Sequence, residues 1–203
     1  MTKKSVTLQT AGRIKVFAAL AQYGLLLKQD KSIPNVVGIL TGESLRTSWW
    51  SHPRSHFIFS VLAKLADDPR LLFAKLLDRK DTLVHASLWP ALLAVGSARE
   101  AWQMEGLSRA AAELLDRIDR GSSEVRSKGA VAKELQIRLL ASAHEVHTAS
   151  GRHELVLESW DSWSSRMTCK ALGCSAAGRR LLETAATRLG APLKLLPWRK
   201  RSA

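Results

Sequence analysis

The sequence predicts a mainly α protein with short β-hairpins, and three observations carry that expectation. Apolar residues recur at three- and four-residue spacing along much of the chain, the period of a helix face turned to a core. Two pairs of strand-length segments flank short polar turns. The order helix, short extended stretch, helix, hairpin occurs twice. At 203 residues, 46% hydrophobic and 24% charged, the chain can bury a sizeable core and is neither a disordered tail nor a fibrous repeat.

The first helix is expected over Ile14 to Gln29, with Ile14, Phe17, Ala18, Ala21, Leu25 and Leu26 at helical spacing. Ser32 to Gly42 is short, apolar and punctuated by Pro34 and Gly38, compatible with a helix or a strand. Ser51 then reads as the cap of a helix over about residues 53–66, carrying Ile58, Val61, Leu62 and Leu65 and ended by Asp67-Asp68-Pro69. Residues 71–77 and 82–86 form a hairpin around the four-residue loop Asp78-Arg79-Lys80-Asp81. Ser87 caps a helix from Leu88 to Val95, with Pro90 tolerated in its first turn.

In the second half, Ser108 caps a helix to Asp119 with Ala112, Leu115 and Ile118 in register, and Gly121 stops it. Glu124-Val125-Arg126 is a short extended stretch, and Ala130 to Leu140 a helix with Val131, Leu135 and Leu139 on its apolar face. Two β-prone segments, 144–148 and 154–160, surround Ala149 to Arg152, where Gly151 supplies turn freedom. A last helix, Ala176 to Leu189, is capped by Ser175 and stopped by Gly190 and Pro192. The expected organisation is a first unit over residues 1–105, a second over 106–167, and a basic C-terminal helix and tail over 168–203.

The formal net charge of +13 sits at the two ends. Residues 1–29 hold five basic and no acidic groups, residues 30–167 are nearly balanced, and residues 168–203 hold eight basic groups against one acidic. A balanced middle with basic ends points to a polyanion, because Lys and Arg that displace condensed counterions supply sequence-independent affinity for nucleic acid. Three groups of contacts follow: Lys133, Gln136 and Arg138 on the polar side of the 130–140 helix; Arg152 and His153 at the second hairpin tip; and Arg199, Lys200 and Arg201 in the tail. Arg46, Trp49, Trp50, His52 and His56 gather aromatic, basic and imidazole groups in one short segment, a possible pocket whose rings could stack on unpaired bases. Large aromatics also cement small cores, the plainer expectation for most of the seven tryptophans.

No cofactor or metal is expected. His144, His147 and His153 lie close in sequence, but His144 and His147, three apart in a strand, point to opposite faces, and His52 with His56 lacks a third ligand nearby. Cys169 and Cys174 read as small buried residues rather than a zinc knuckle or a disulfide framework, and the expected location is the cytoplasm, on the nucleoid if DNA is bound. The longest apolar runs fall short of a bilayer span. Ser-His-Asp catalysis has no nucleophile elbow, and no Gly-rich phosphate loop is present.

Helix, short strand, helix and hairpin form a winged-helix pattern. With the texture of Trp49-Trp50-Ser51-His52-Pro53 to Leu88-Trp89-Pro90, and Val125-Arg126 to Trp160, residues 14–163 resemble the tandem winged-helix proteins that include bacterial DNA glycosylases which unhook interstrand cross-links. The resemblance implies tandem winged-helix-like units plus a C-terminal helix, and binding of DNA, duplex most of all. Each copy here shows one clear helix between short strand and hairpin where that family has two. The glycosylases carry Gln, an apolar residue, then Gln or Asp; Gln103-Met104-Glu105 ends in Glu, so that activity is not carried over. Two other functions remain open: a DNA-processing enzyme using the Trp49–His56 segment, and a module that binds another protein.

Overall fold

Gly24 decides where the first helix stops. Helix α1 (Lys3–Tyr23) ends as Gly24 takes φ +81°, and the chain continues as strand β1 (Leu25–Leu27), all three of whose leucines are buried. The expected helix to Gln29 therefore divides into helix and strand. Its buried face differs too: Gln9, Gly12, Val16 and Leu20 turn inward, while Ile14 and Ala18 lie in solvent. The computed structural model describes residues 3–121, 125–127, 129–147 and 153–199.

The ambiguous apolar stretch is helix α2 (Val36–Thr41), capped by the Asn35 side chain, which accepts from the Gly38 amide. Helix α3 (Ser55–Ala66) buries Ile58, Val61, Leu62 and Leu65 as the spacing predicts. Ser51 does not cap it; Ser48 caps a 3-10 turn over Trp49–Ser51, and α3 starts after it. Strands β2 (Leu71–Leu77) and β3 (Lys80–His85) make the first hairpin. Its loop has two residues rather than four, because Asp78 and Arg79 both adopt positive φ (52° and 59°), the geometry that follows strand twist in tight hairpins. The sheet order is β1-β3-β2, antiparallel throughout. Two helices, not one, thus separate β1 from the first hairpin.

A 3-10 turn capped by His85 leads into α4 (Trp89–Gly96), with Pro90 in its first turn. Helices α5 (Ala101–Met104) and α6 (Arg109–Asp119) follow, the latter capped by Ser108 as expected. Strand β4 (Val125–Arg126), helix α7 (Ala130–Ile137) and strands β5 (Ser142–His147) and β6 (His153–Glu158) form a second antiparallel sheet of order β4-β6-β5. Helix α7 ends earlier than Leu140, since Leu139 takes φ +53° and turns into the core. Helices α8 (Trp160–Met167) and α9 (Ser175–Arg188) complete the chain, with Cys174 rather than Ser175 at the cap of α9. The fold is therefore mixed α/β, largely helical with two small three-stranded sheets.

Two cores result. The larger joins α1–α4 and the first sheet to Trp160, Trp163 and the α9 residues Leu182, Ala185 and Ala186, so the basic C-terminal helix belongs to the first core rather than standing apart. Gly178 permits this: a Cβ there would lie 2.5 Å from the Ala91 carbonyl oxygen of α4. The smaller core packs α6 and α7 on the second sheet through Leu114, Leu115, Ile118, Leu135 and Leu157.

The junction between the cores carries a polar network. Gln103 is completely buried; its amide donates to the carbonyls of Arg138 (3.1 Å) and Gly96 (3.3 Å), and its oxygen accepts from the Glu100 amide. The Arg138 guanidinium returns the connection, donating to the carbonyls of Gln103 (2.9 Å), Glu105 (2.8 Å) and Gly106 (3.0 Å). Trp160 donates from its indole to the Leu139 carbonyl at 2.7 Å.

Candidate nucleic-acid interface

Pairing of charges, more than their number, defines the surface a polyanion would meet. Among the carboxylates whose side chains are described, Asp67, Glu105 and Asp161 make no ion pair, and the others do. Burial would raise the Asp30 carboxyl, but hydrogen bonds from Lys80 and from the Ser32 and Ile33 amides outweigh it and hold the group at about 2. Asp68 sits well below the carboxylate range because Arg70 hydrogen-bonds it, with Arg13 adding a second guanidinium. Positive charge is left over. Lys15, Arg46, Lys64, Arg79 and Lys133, with Lys170, Arg180, Arg188 and Lys194 of the C-terminal part, make no ion pair among the described residues.

Helix α9 gathers part of this excess. Arg180, Thr184, Thr187 and Arg188 lie on its exposed side and, with Glu183, line an open hollow. Glu183 is neutralised there: Arg199 bonds it twice (2.9 and 3.0 Å) and the Trp198 indole once (2.7 Å), which lowers its pKa. Two guanidinium groups and the Thr187 hydroxyl remain outward, the side-chain types that contact phosphate oxygens, while the Thr184 hydroxyl donates to the Arg180 carbonyl at 2.9 Å. Nearby in the fold, the Asp78 amide at the first hairpin tip donates to the Leu195 carbonyl at 2.8 Å, so Arg79 and Lys194 each sit one residue from that joint. The helical spacing of positions 180, 184, 187 and 188 is the sequence signal of this face, which the expected contacts in the tail do not include.

The expected contacts divide. Lys133 is exposed on α7 and free, and Gln136 bonds back to the Ala132 carbonyl of its own helix. Arg138 is not outward: its side chain is 21% exposed and spent on the junction carbonyls and on Glu134. The helix ends at Ile137, so Arg138 leaves the helical direction that would have carried it to solvent. Arg199 is held by Glu183 rather than free. Arg152, Lys200 and Arg201 lie outside the described residues, while His153 opens β6 in register with His147.

The Trp49–His56 segment comes together as a ledge. Trp49 is buried and its ring stacks on Trp50 (centroids 4.0 Å apart, planes at 26°), and Trp50 is 62% exposed. His52 accepts from the Arg54 amide at Nδ1, so its Nε2–H donates to Glu43 at 3.0 Å. Arg46 and His56 are exposed on either side of this turn in the sequence. Gln103, nearest match to the glycosylase triplet, is a buried structural amide. Cys169 is half-buried, which pushes its thiol up, and Cys174 is exposed rather than buried; neither is in a disulfide. No helix among the described residues is long and apolar enough to cross a membrane.

Comparison with protein-family models, curated proteins and solved structures finds no match to this chain.

Proposed function

We propose that this protein binds nucleic acid, duplex DNA first, through tandem winged-helix units and a basic C-terminal face. The carrying observation is the charge pairing: nearly every described carboxylate is neutralised, and the cations left over include the Arg180 and Arg188 pair on α9 and Arg79 with Lys194 beside the first hairpin tip. The winged-helix reading is supported by the strand orders β1-β3-β2 and β4-β6-β5, in which the strand after the first helix of each unit pairs with the second hairpin strand. In the second unit α7 is the recognition helix and Lys133 its outward cation, with the hairpin of β5 and β6 as wing.

Such binding has a measurable electrostatic signature. Each phosphate neutralised on duplex DNA contributes a slope of about −0.9 in log K against log salt. The Arg180→Ala, Arg188→Ala double variant therefore reduces the slope by about 2 and weakens all duplex sequences alike, since phosphate contacts carry no base information. Titration of a labelled 20-base-pair duplex across salt concentrations measures this. An unchanged slope with unchanged affinity would remove α9 from the interface, and salt-independent or absent binding by the parent would overturn the proposal.

A further inference from the structure

An indole that is mostly solvent-exposed yet rigidly mounted demands a reason. Trp50 is the exposed exception among the tryptophans: Trp49, Trp89, Trp160 and Trp163 are buried, and Trp102 and Trp198 pack against the larger core. Its backbone is fixed from several sides. The Ser48 hydroxyl accepts from the Trp50 amide, the Ser51 hydroxyl donates to the Ser48 carbonyl, and the His52 amide donates to the Trp49 carbonyl. Gln29 holds the preceding loop by donating to the Thr47 carbonyl at 2.6 Å. The buried Trp49 ring backs one face of Trp50, and Phe59, itself 42% exposed, lies 5.7 Å away on α3. These two rings make an aromatic surface, with the Trp50 ring backed on one face by Trp49.

Charge selects the occupant. Residues 44–66 contain Arg46, Arg54 and Lys64, with His52 and His56; the nearest carboxylates in sequence are Glu43, which is bonded to His52, and Asp67 past the end of α3. Arg46 and Lys64 are unpaired, and the Arg54 guanidinium lies 4.7 Å above the Phe57 ring rather than on a carboxylate. A protein partner would be served by the apolar rings alone; the cations add recognition of a backbone that carries negative charge beside each planar ring. Aromatic faces next to unpaired cations are the composition of single-strand platforms, where bases stack and phosphates run along the basic rim.

We infer that Trp50 and Phe59 form a stacking platform for unpaired bases, with Arg46 and Arg54 on the adjoining phosphates, so that the protein engages DNA carrying a single-stranded stretch. This deepens the nucleic-acid reading and rests on it. The platform is a binding surface and requires no chemistry of the base.

Full-length protein is titrated by fluorescence anisotropy with labelled dT20 and, separately, with a blunt 20-base-pair duplex. Trp50→Ala weakens dT20 binding by about 5- to 150-fold, the effect of about 1–3 kcal/mol per stacked base, and changes duplex affinity less than about twofold. Trp50→Phe retains most of the dT20 affinity because a ring face remains, and Phe59→Ser, which keeps the buried face of α3 intact, shows a smaller loss of the same kind. Thermal melting of each variant excludes unfolding. If parent and Trp50→Ala bind dT20 equally, or lose dT20 and duplex equally, the platform is overturned while duplex binding stands. If the parent binds neither probe, both readings fall. A parent that dimerises in sedimentation and becomes monomeric on Trp50→Ala, with dT20 binding unaffected, assigns the ledge to a second copy of the chain instead.

Discussion

Arg138→Ala tests whether the two cores are coupled through the junction, and its outcome separates two roles that spacing alone assigns to the same helix side. In the sequence Lys133 and Arg138 both read as outward cations of the 130–140 helix. In the fold only Lys133 is; the Arg138 guanidinium makes three bonds of 2.8–3.0 Å to the carbonyls of Gln103, Glu105 and Gly106. Hydrogen bonds with a charged partner are worth about 1.5–3 kcal/mol each, but water can replace the donor at the exposed Glu105 and Gly106 carbonyls. A net loss of about 2–4 kcal/mol follows, or roughly 4–16 °C in Tm for a chain of this size. Lys133→Ala, at a free surface position, stays within about 0.5 kcal/mol of the parent. Arg138→Lys keeps the charge without the planar fork and recovers less than half the loss. Calorimetry measures the Tm values, and amide exchange over residues 101–107 reports the loosened junction directly. Equal Tm for Arg138→Ala and Lys133→Ala, with unchanged exchange, would refute the coupling and return Arg138 to the surface.

Gly178→Ala places a methyl 2.5 Å from the Ala91 carbonyl and 3.1 Å from Val95. Overpacking of about 1–3 kcal/mol exceeds the roughly 1 kcal/mol gained in helix propensity, so Tm falls; a rise would mean that α9 is not seated on α4. The depressed Asp68 carboxyl contributes stability that is present above the ordinary carboxylate pKa of about 4 and is lost as pH falls through its lower folded value. Asp68→Asn is therefore less stable than the parent near neutrality, and the gap in Tm narrows between about pH 5 and 2; parallel curves would contradict the Arg13–Asp68–Arg70 cluster. Deleting residues 197–203 lowers Tm further than deleting 200–203 alone, because Trp198 and Arg199 bind Glu183 and Trp198 packs on Trp102. Equal melting of the two truncations would detach the tail from the fold.

Local chemistry alone determined a good part of this protein. The Ser108 cap, the apolar spacing of Ile58, Val61, Leu62 and Leu65, the turn stop at Gly190 and the approximate place of both hairpins depend on neighbours a few residues away, so they are legible in the sequence. The spacing of Leu25 and Leu26 fits a helix; the strand forms because Gly24 breaks the helix and the distant β3 offers a ladder, which no local pattern reports. The composition likewise showed excess positive charge and its location at the ends. Which cations remain free was a tertiary decision: Arg13 finds Asp68 across 55 residues, Arg179 finds Glu100 across 79, and Arg138 turns from a surface contact into the brace of the junction. Trp50 is the same case in reverse, since only the packing of Trp49 into the core and of Phe59 beside it leaves one ring of the pair in water. Periodicity specifies which side of an element is apolar, but the identity of the partner, and hence the role of each polar side chain, follows from how distant segments meet.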